Sequence, residues 1–513
     1  MVNTNACQVI LPNGFRSNCG NSPQWFDTNK NIGYSNFDFV DKYFQSSHTV
    51  RRIFSLARKL GFRSFLIETV DSALPWLVTD DHLLRRRNCG FKHSEVYRIS
   101  FFTSEKDSEI FNQENFLGYA VVKKEYFGSP IFPSIYVYES VLQPYRQEKQ
   151  NNFLHCKRTY QVAYPFGTFN VTGALYAQQN AKTFVCAHVA LRSVLSLLLP
   201  EGDISYSEIN QLAGIDVSQY PLGENNKGLT PDQIDKVLES KGITSRKIFH
   251  EPQSPSSNPT DLVSEFSRYL YGYIESGCPS LLAFELTGKS GRHIVPVLGH
   301  TFNEDTWVSD ARYAYFGGEK FYSSEGWLST YLIHDDNFGP YLCIPRNYLA
   351  TDNFRLLYGL HYNREALCFD KAEVVALERL KHFALANPKK ENLSWFNRFV
   401  VFAKREQLVL RTIFISQSRY INLLQHYGIE DSTIEQLRQK LPETFWMVET
   451  SCSELFSATR AKFGEILLTC ENVDGDFNGI AKPLAIRLPG VIYFEDENRP
   501  ISTSMSNYTP LYS

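Results

Sequence analysis

The sequence of 513 residues has no closely spaced cysteines. Its 10 cysteines are scattered and form no C-x-x-C pair, so zinc ribbons and thioredoxin-type redox sites have no support. Ten cysteines in a chain of this length are also too few for a disulfide scaffold. We therefore expect reduced thiols, a cytoplasmic location, and neither a bound metal nor another cofactor.

Long apolar runs and a strong charge bias are absent as well. The longest apolar stretch lies near SVLSLLL and is too short to span a bilayer. The first residues, MVNTNACQVILPNGF, lack the basic segment and the apolar run of a signal peptide. The net charge of −3 indicates no general attraction to nucleic acid or to anionic lipid. We expect no membrane span and no nucleic-acid partner.

The composition predicts a folded chain with several domains. Hydrophobic residues make up 43% of the sequence and aromatic residues 14%, which is enough for a sizeable core. At roughly 100 to 200 residues per domain, the length corresponds to about three domains. We place them at residues 1–150, 151–350 and 351–513.

The first and third regions are predicted to be α+β. In the first, TVRRIFSLARKLGF has apolar residues at helical spacing, and four segments typical of strands follow it: RSFLIETV, VYRISFFTS, FLGYAVVKK and SIYVYESVL. In the third, KAEVVALERLKHFALA predicts a helix, whereas RFVVFAKREQLVLRTIFIS and AIRLPGVIYFE favour strands. No motif in either region indicates a chemical role, and both are candidates for binding protein partners.

The central region contains one predicted helix with well-marked ends, LTPDQIDKVLESKG. Thr230 is a typical N-cap residue, Pro231 suits the first turn and Gln233 completes a capping box. Gly242 favours the end of the helix. The segment EPQSPSSNPT that follows is predicted to be a surface loop within this region.

A cysteine stands near the start of another predicted helix, in QQNAKTFVCAHVALRSVLSLLL. With Thr183 as the N-cap, Cys186 would lie in the first turn, where the positive end of the helix dipole stabilises a thiolate. A lone cysteine on a helix is also commonly a small buried apolar residue. This segment alone leaves both interpretations open, nucleophile and core residue.

A thiolate nucleophile needs a base beside it. His188 follows two residues later and faces another side of the helix, so we expect a packing or hydrogen-bonding role for it. His293 opens the strand-like HIVPVLG, and TWVSD, which ends at Asp310, is predicted to return as the next strand. The pair would then meet at one end of a hairpin; alternatively, the hairpin has no chemical role. His300 falls near the predicted turn and is the weaker candidate, and Pro296 indicates an edge strand or an interrupted ladder.

The order of these residues resembles that of the papain-like cysteine peptidases, most of all the bacterial branch that includes the bacteriocin-leader-processing (double-glycine) peptidase domains. The resemblance covers about residues 160–345, the middle third of the chain. It implies a papain-like central domain, in which a helix that carries Cys186 packs on an antiparallel sheet. It also implies a peptide or protein substrate, with Cys186 as nucleophile, His293 as general base and then general acid, and Asp310 orienting the imidazole.

The same resemblance implies an upstream glutamine that donates to the oxyanion, together with the backbone N–H of Cys186. The family usually has this glutamine six residues before the cysteine, but Asn180 occupies that position here. Gln178 and Gln179 precede it. We expect Gln179 to act, because a glutamine is one methylene longer than an asparagine and can reach from one residue further back.

One other motif in the central region would suggest a different function. AFELTGKS fits a relaxed phosphate-loop pattern, but a strand is predicted after it where that loop needs a helix, so we expect no nucleotide binding. The leading interpretation is a cysteine peptidase-like hydrolase that cleaves a peptide or amide bond through a thioester. The alternatives are a catalytically inactive papain-like scaffold or binding protein, and an acyltransferase that uses the same three residues.

Overall fold

A computed structural model shows an α+β protein with four sheets, in which nearly all neighbouring strands run antiparallel. The structure describes residues 9–10, 24–27, 36–45, 47–70, 75–87, 90–104, 112–128, 132–144, 152–164, 166–217, 228–249, 259–285, 292–302, 321–346, 348, 354–361, 369–386, 394–470, 482–488, 491–495 and 501–502. Within these ranges, no helix has both the length and the apolar character that a bilayer crossing requires.

The N-terminal unit is a five-stranded antiparallel sheet with helices packed against it. Its strands, in spatial order, are β2 (Gln24–Asp27), β3 (Ser64–Val70), β4 (Phe91–Phe102), β5 (Phe116–Phe127) and β6 (Ser134–Leu142). Its helices are α1 (Asn36–Phe44), α2 (His48–Lys59) and α3 (Pro75–Arg86). The helix and the four strands predicted from the sequence of this region are confirmed.

Helix α2 also joins the N-terminal unit to the central one. Its predicted apolar face is buried at Ile53 and Leu56, and Gly61 adopts a φ of +87° just after the helix ends. Arg52, on the same helix, is half-buried. Its Nε and Nη2 atoms donate to the carbonyl oxygens of Pro340 and Tyr341 at 2.7 and 2.6 Å. A basic residue of this helix therefore fixes the start of β15 (Gly339–Pro345) in the central unit.

The central unit is built on a seven-stranded sheet on which helix α4 (Cys186–Leu198) packs. Six of its strands, in spatial order, are β10 (Thr244–Phe249), β16 (Phe354–His361), β11 (Ser280–Glu285), β12 (Arg292–Phe302), β14 (Leu328–Asp335) and β15 (Gly339–Pro345), and β7 (Asn152–Leu154) pairs with β12. The other helices are α5 (Tyr206–Leu212), α6 (Pro231–Ser240) and α7 (Pro259–Glu275). Because β16 belongs to this sheet, the central unit extends past residue 350.

A smaller sheet lies between the first two units. It consists of β1 (Val9–Ile10), β8 (Arg158–Tyr164) and β9 (Gly167–Gly173). Its buried residues share one apolar core with strands of the N-terminal sheet and with α4. The helix that carries Cys186 is thus packed between elements of both units.

Helix α6 has the ends that the sequence predicts. The Thr230 side chain accepts a hydrogen bond from the backbone N–H of Gln233 at 3.3 Å, and the Gln233 side chain accepts from the Thr230 N–H at 2.9 Å. Gly242, just after the helix, has a φ of +70°. The capping box and the stop are confirmed. The predicted loop EPQSPSSNPT lies outside the described residues apart from its last two positions, which open α7.

Strand β12 is a central strand of its sheet, which shows how Pro296 is accommodated. Pro296 pairs with Leu281 of β11, and pairing with β14 on the other side begins only at Val297. Proline has no backbone N–H, so the ladder to β14 is missing where a donor would be required. The expected interruption of the ladder is confirmed, while the alternative of an edge strand is wrong.

The C-terminal unit is a second seven-stranded sheet with helices against it. Its strands, in spatial order, are β13 (Tyr322–Ser323), β17 (Val409–Ser416), β18 (Thr444–Ser451), β19 (Gly464–Leu468), β20 (Pro483–Leu488), β21 (Val491–Phe494) and β22 (Ile501–Ser502). Its helices are α8 (Phe369–Ala386), α9 (Ser394–Lys404), α10 (Gln417–His426), α11 (Asp431–Lys440) and α12 (Ser453–Thr459).

The predictions for this unit are confirmed except in one segment. KAEVVALERLKHFALA lies in α8, and AIRLPGVIYFE forms the hairpin of β20 and β21. RFVVFAK was predicted to be a strand but lies in α9. There Phe396, Phe399, Val400 and Ala403 are buried, at a spacing that places them on one face of a helix. This periodicity outweighs the strand preference of the two valines.

Candidate functional site

Cys186 is the first residue of α4 and is half-buried. The N-cap position is Val185, with an extended backbone and no side-chain cap. The prediction that Cys186 lies in the first turn is confirmed, but the prediction of Thr183 as the N-cap is wrong. The thiol therefore sits where unpaired backbone N–H groups give the helix its partial positive charge.

The loop before Cys186 is held by the side chain of Asn180. Its Oδ1 atom accepts hydrogen bonds from the backbone N–H groups of Lys182, Thr183 and Phe184 at 2.9, 3.0 and 3.3 Å. Its Nδ2 atom donates to the Thr183 hydroxyl at 2.9 Å. Asn180 is buried, and both ends of its amide are occupied within the loop. The amide of Asn180 therefore cannot bind a ligand without disturbing the loop that precedes Cys186.

His188 has a structural role, as expected. Its Nδ1 atom accepts from the backbone N–H of Val185 at 3.4 Å, and its Nε2 atom lies 2.8 Å from the Asn210 side-chain oxygen, to which it donates. Burial lowers the pKa of His188 to about 4, despite the hydrogen bond to Asn210. The ring is therefore neutral at physiological pH and caps the start of α4.

His293 is the second residue of β12, and its imidazole contacts two carboxylates. The Nε2 atom lies 3.2 Å from Oδ2 of Asp335 and 3.3 Å from Oδ1 of Asp336. The side chain of Cys186 lies near enough to the same imidazole to help raise its pKa. Among the described residues, the structure thus brings together the predicted cysteine, the predicted histidine and two carboxylates.

These contacts determine the protonation state of His293. Burial alone lowers the pKa of the imidazole, but the hydrogen bonds to Asp335 and Cys186 and the negative charges of Asp336 and Asp335 outweigh it and raise the pKa to about 10. The imidazole is therefore an imidazolium at neutral pH. It is suited to stabilise a thiolate at Cys186 and to deliver a proton to a leaving group.

Sheet geometry explains why Asp335 lies beside His293. Strand β14 runs antiparallel to β12, with Val297 opposite Ile333 and Gly299 opposite Leu332. The end of β14 therefore meets the start of β12, where His293 stands. Helix α4 packs on β12 and on its neighbour β11.

The turn after β14 orients the Asp335 carboxylate. Its Oδ1 atom accepts from the backbone N–H groups of Asn337 and Phe338 at 2.8 and 3.1 Å, which leaves Oδ2 for the imidazole. Burial raises the pKa of Asp335, but the hydrogen bond and charge of His293 outweigh it and hold the pKa below its usual value. Asp336 behaves differently: burial raises its pKa to about 6 despite the charge of His293. Asp335 is thus the permanently charged partner of the pair.

Asp310, the acid predicted from the sequence, lies outside the described residues, as does the rest of the predicted strand TWVSD. The sequence prediction did not include Asp335 or Asp336. The signal for them was YLIHDDNFGP, an apolar segment that ends in two acidic residues and a glycine-containing turn. The pairing of this segment with β12 could not be inferred from its position in the chain.

The three candidate amides before Cys186 have different partners. Gln178 is tied to β6: its backbone N–H donates to the Val137 carbonyl at 2.9 Å, and its side chain accepts from the Val137 N–H at 3.0 Å. The amide of Asn180 is already hydrogen-bonded within its own loop. The Nε2 atom of Gln179 donates to Oδ1 of Asn337 at 3.4 Å, beside Asp336 in the turn that orients Asp335. Gln179 is therefore the candidate amide whose side chain contacts the turn that carries Asp335 and Asp336.

His300 lies within β12 and does not belong to this site. Its side chain is fully buried against Glu275 and His155, in a second cluster of polar residues. Within the described residues, two groups of histidine and acidic side chains have ligand atoms that all lie within 4.8 Å of one another, a spacing compatible with a metal ion. One is this cluster, and the other is His293 with Asp335 and Asp336.

Comparison with models of known protein families finds no match, and the curated proteins include none with significant similarity to this chain. We therefore infer the function of the protein from the geometry of the site.

Proposed function

We propose that the protein is a cysteine hydrolase with a papain-like central unit, which cleaves a peptide or amide bond through a thioester on Cys186. One observation carries the proposal: the imidazole of His293 contacts the oriented carboxylate of Asp335 at 3.2 Å and also interacts with the thiol at the start of α4. A nucleophile, a base and a group that orients the base are the parts that this chemistry requires.

The proposed reaction uses the ion pair of Cys186 thiolate and His293 imidazolium. The thiolate attacks the carbonyl carbon, and the C–N bond breaks as the imidazolium transfers its proton to the leaving amine. Water then attacks the thioester, giving one proton to the imidazole as its hydroxyl joins the acyl carbon, and the C–S bond breaks to release the carboxylic acid and regenerate the thiolate. The pKa of about 10 at His293 suits a donor to a departing amine.

We assign the orienting role to Asp335. Its contact of 3.2 Å with His293 Nε2 fixes the ring, and its own position is fixed by two backbone N–H groups of the turn. In this role an acid holds the correct tautomer and stabilises the imidazolium without taking the proton. The resemblance implied Asp310 for this role, and the proposal gives it to a residue further along the chain instead.

The oxyanion would be held by the backbone N–H of Cys186 and the side chain of Gln179. The N–H of the first helical residue has no partner within its own helix, which leaves it available to a developing negative charge. Among the three candidate amides, Gln178 is paired with β6 and Asn180 with its own loop. Support for Gln179 comes from its position next to Asn337.

The proposal can be tested with a diverse peptide mixture as substrate. The intact chain should produce cleavage products detectable by mass spectrometry, and an acid quench during turnover should show an acyl adduct on Cys186. Cys186→Ala should abolish both, while Cys343→Ala, which removes an exposed cysteine of β15, should change neither. Cleavage that persists in Cys186→Ala would contradict the proposal. Transfer of the acyl group to an added amine in preference to water would identify an acyltransferase, and an unreactive Cys186 without products would identify a scaffold.

A further inference from the structure

A second polar cluster lies in the interior, where the central and C-terminal units meet. It consists of His155, which follows β7, Glu275 at the end of α7, and His300 in β12. The three side chains are between 0% and 1% exposed. The Nε2 atoms of the two histidines are 3.2 Å apart, His300 Nε2 is 2.8 Å from Glu275 Oε1, and His155 Nε2 is 3.7 Å from Glu275 Oε2. Two imidazole nitrogens and one carboxylate therefore converge on one point.

Such convergence favours a shared cation. A carboxylate oxygen only accepts hydrogen bonds, and each neutral imidazole nitrogen is either a donor or an acceptor. A single Nε2–H on His300 would have to serve both the carboxylate and the other imidazole. A metal ion at the centre would satisfy the lone pairs of all three groups at once.

The spacing of the atoms matches one ion in particular. With zinc–ligand bonds of roughly 2.0–2.1 Å, a tetrahedral ion separates its ligand atoms by roughly 3.3 Å. The two imidazole nitrogens are 3.2 Å apart, close to that value, and the Glu275 carboxylate lies 2.8 Å from His300 through Oε1 and 3.7 Å from His155 through Oε2. Two histidines and one glutamate are also a donor set that zinc uses in proteins. We propose that His155, Glu275 and His300 bind one zinc ion, which stabilises the fold and takes no part in the reaction at Cys186.

The surroundings of the cluster are those of a supported metal ligand. Arg411 of β17 donates to Oε2 of Glu275 through Nε at 3.1 Å and through Nη2, so the carboxylate is oriented with Oε1 towards His300. Arg411 is itself paired with Glu449 at 2.6 Å, and Glu449 is also bound by Lys462. The positive charge of the guanidinium is thus shared between two carboxylates. Partners of this kind fix the geometry of metal ligands.

An ion here would join β12, which carries His293 seven residues earlier, to α7 and through Arg411 to the C-terminal sheet.

The test is the metal content of the tag-free full chain, purified without chelators. Inductively coupled plasma mass spectrometry should find zinc at one ion per chain, and replacement by cobalt should give visible absorption bands of a tetrahedral site. His155→Ala and His300→Ala should lose the metal. His293→Ala is the matched control, because it removes a histidine from the other cluster, and it should retain the metal.

Thermal denaturation of the native chain provides a second test, which does not depend on whether the histidine variants fold. Removal of zinc from the native chain with a chelator should lower the melting temperature, and added zinc should restore it. If the purified chain contains no zinc and its melting temperature responds to neither treatment, the proposal is wrong. The cluster would then be held together by a proton shared among the three side chains. Loss of the metal in His293→Ala alone would also overturn it, by placing the ion at the other cluster.

Discussion

His293 and Asp335 are 42 positions apart in the chain, yet the Nε2 atom of the first lies 3.2 Å from the Oδ2 atom of the second. The contact exists because the start of β12 and the end of β14 meet in the sheet. Together with the interaction between His293 and Cys186, it brings the three groups of the proposed site together. The proposed chemistry depends on both contacts.

Replacement of Asp335 by asparagine should remove the negative charge beside the imidazolium of His293 while keeping the hydrogen bonds that hold the turn. Asparagine keeps the Oδ1 acceptor for the Asn337 and Phe338 N–H groups, so the turn and the melting temperature should change little. The imidazolium loses its charged partner, and kcat should fall by on the order of 10²- to 10⁴-fold. Asp336→Asn is the control, with an expected loss of less than about tenfold, because the N–H groups of Asn337 and Phe338 orient the carboxylate of Asp335 and not that of Asp336. A larger loss of kcat in Asp336→Asn than in Asp335→Asn would show that Asp336, and not Asp335, orients the imidazole of His293.

The raised pKa of His293 predicts how stability changes with pH. Its value of about 10 in the folded chain lies above the ordinary value of about 6.5, so the folded state holds the proton more tightly. The stabilisation is fully present below about pH 6.5 and is lost as pH rises towards 10. The difference in free energy of unfolding between the native chain and His293→Gln, measured with urea, should therefore shrink between pH 6.5 and 10. A difference that stays constant over this range would contradict the assignment.

Gln179→Ala should lower kcat by on the order of 100- to 1,000-fold, since one donor to the oxyanion is removed. The alkylation rate of Cys186 by a small reagent should stay unchanged, because the thiol and His293 are untouched. Gln178→Ala is the control: it breaks a contact with β6 and should lower stability more than kcat. If Asn180→Ala gives the large loss in a stably folded chain and Gln179→Ala does not, the oxyanion donor is one residue further on.

The helix that carries Cys186 is anchored by a buried ion pair. Arg192 donates through Nη2 to Glu139 of β6 at 2.6 Å and to Asp203 at 2.8 Å. Removal of one partner of a buried pair leaves an uncompensated charge, so Arg192→Met should reduce the free energy of unfolding by about 3–5 kcal/mol. The double variant Arg192→Met/Glu139→Gln should recover part of this loss in a urea titration. An equal loss in both would show that the guanidinium stabilises the fold by packing rather than by charge.

The parts of the structure that were predicted are those with local signals. Helix α6 is marked by Thr230 and Gln233, and α4 begins where a polar segment gives way to an apolar one. Cys186 and His293 were found because each opens such an element. The error at α9 arose because the adjacent valines of RFVVFAK favour a strand, while the buried face of the segment repeats at helical spacing.

The acid of the site could not be found in this way. Asp335 reaches His293 through the pairing of β12 with β14, and the 25 residues between these strands give no local indication of that pairing. The cluster of His155, Glu275 and His300 has the same property, since its members are 120 and 25 positions apart. Contacts of this kind depend on which strands and helices become neighbours, and hydrophobic periodicity does not encode that choice.

The most direct test of the central claim is the alkylation rate of Cys186 by iodoacetamide in the folded chain, followed for each cysteine by peptide mass mapping at pH 7. Burial raises the pKa of the thiols of Cys278 and Cys452 to about 12 and about 11, so these should react slowly, while Cys343 is exposed and serves as the internal reference. The account predicts that Cys186 reacts faster than Cys343, and that His293→Gln slows Cys186 at least tenfold without changing Cys343. A Cys186 that reacts no faster than Cys343, at a rate that His293→Gln leaves unchanged, would contradict the proposed thiolate–imidazolium pair.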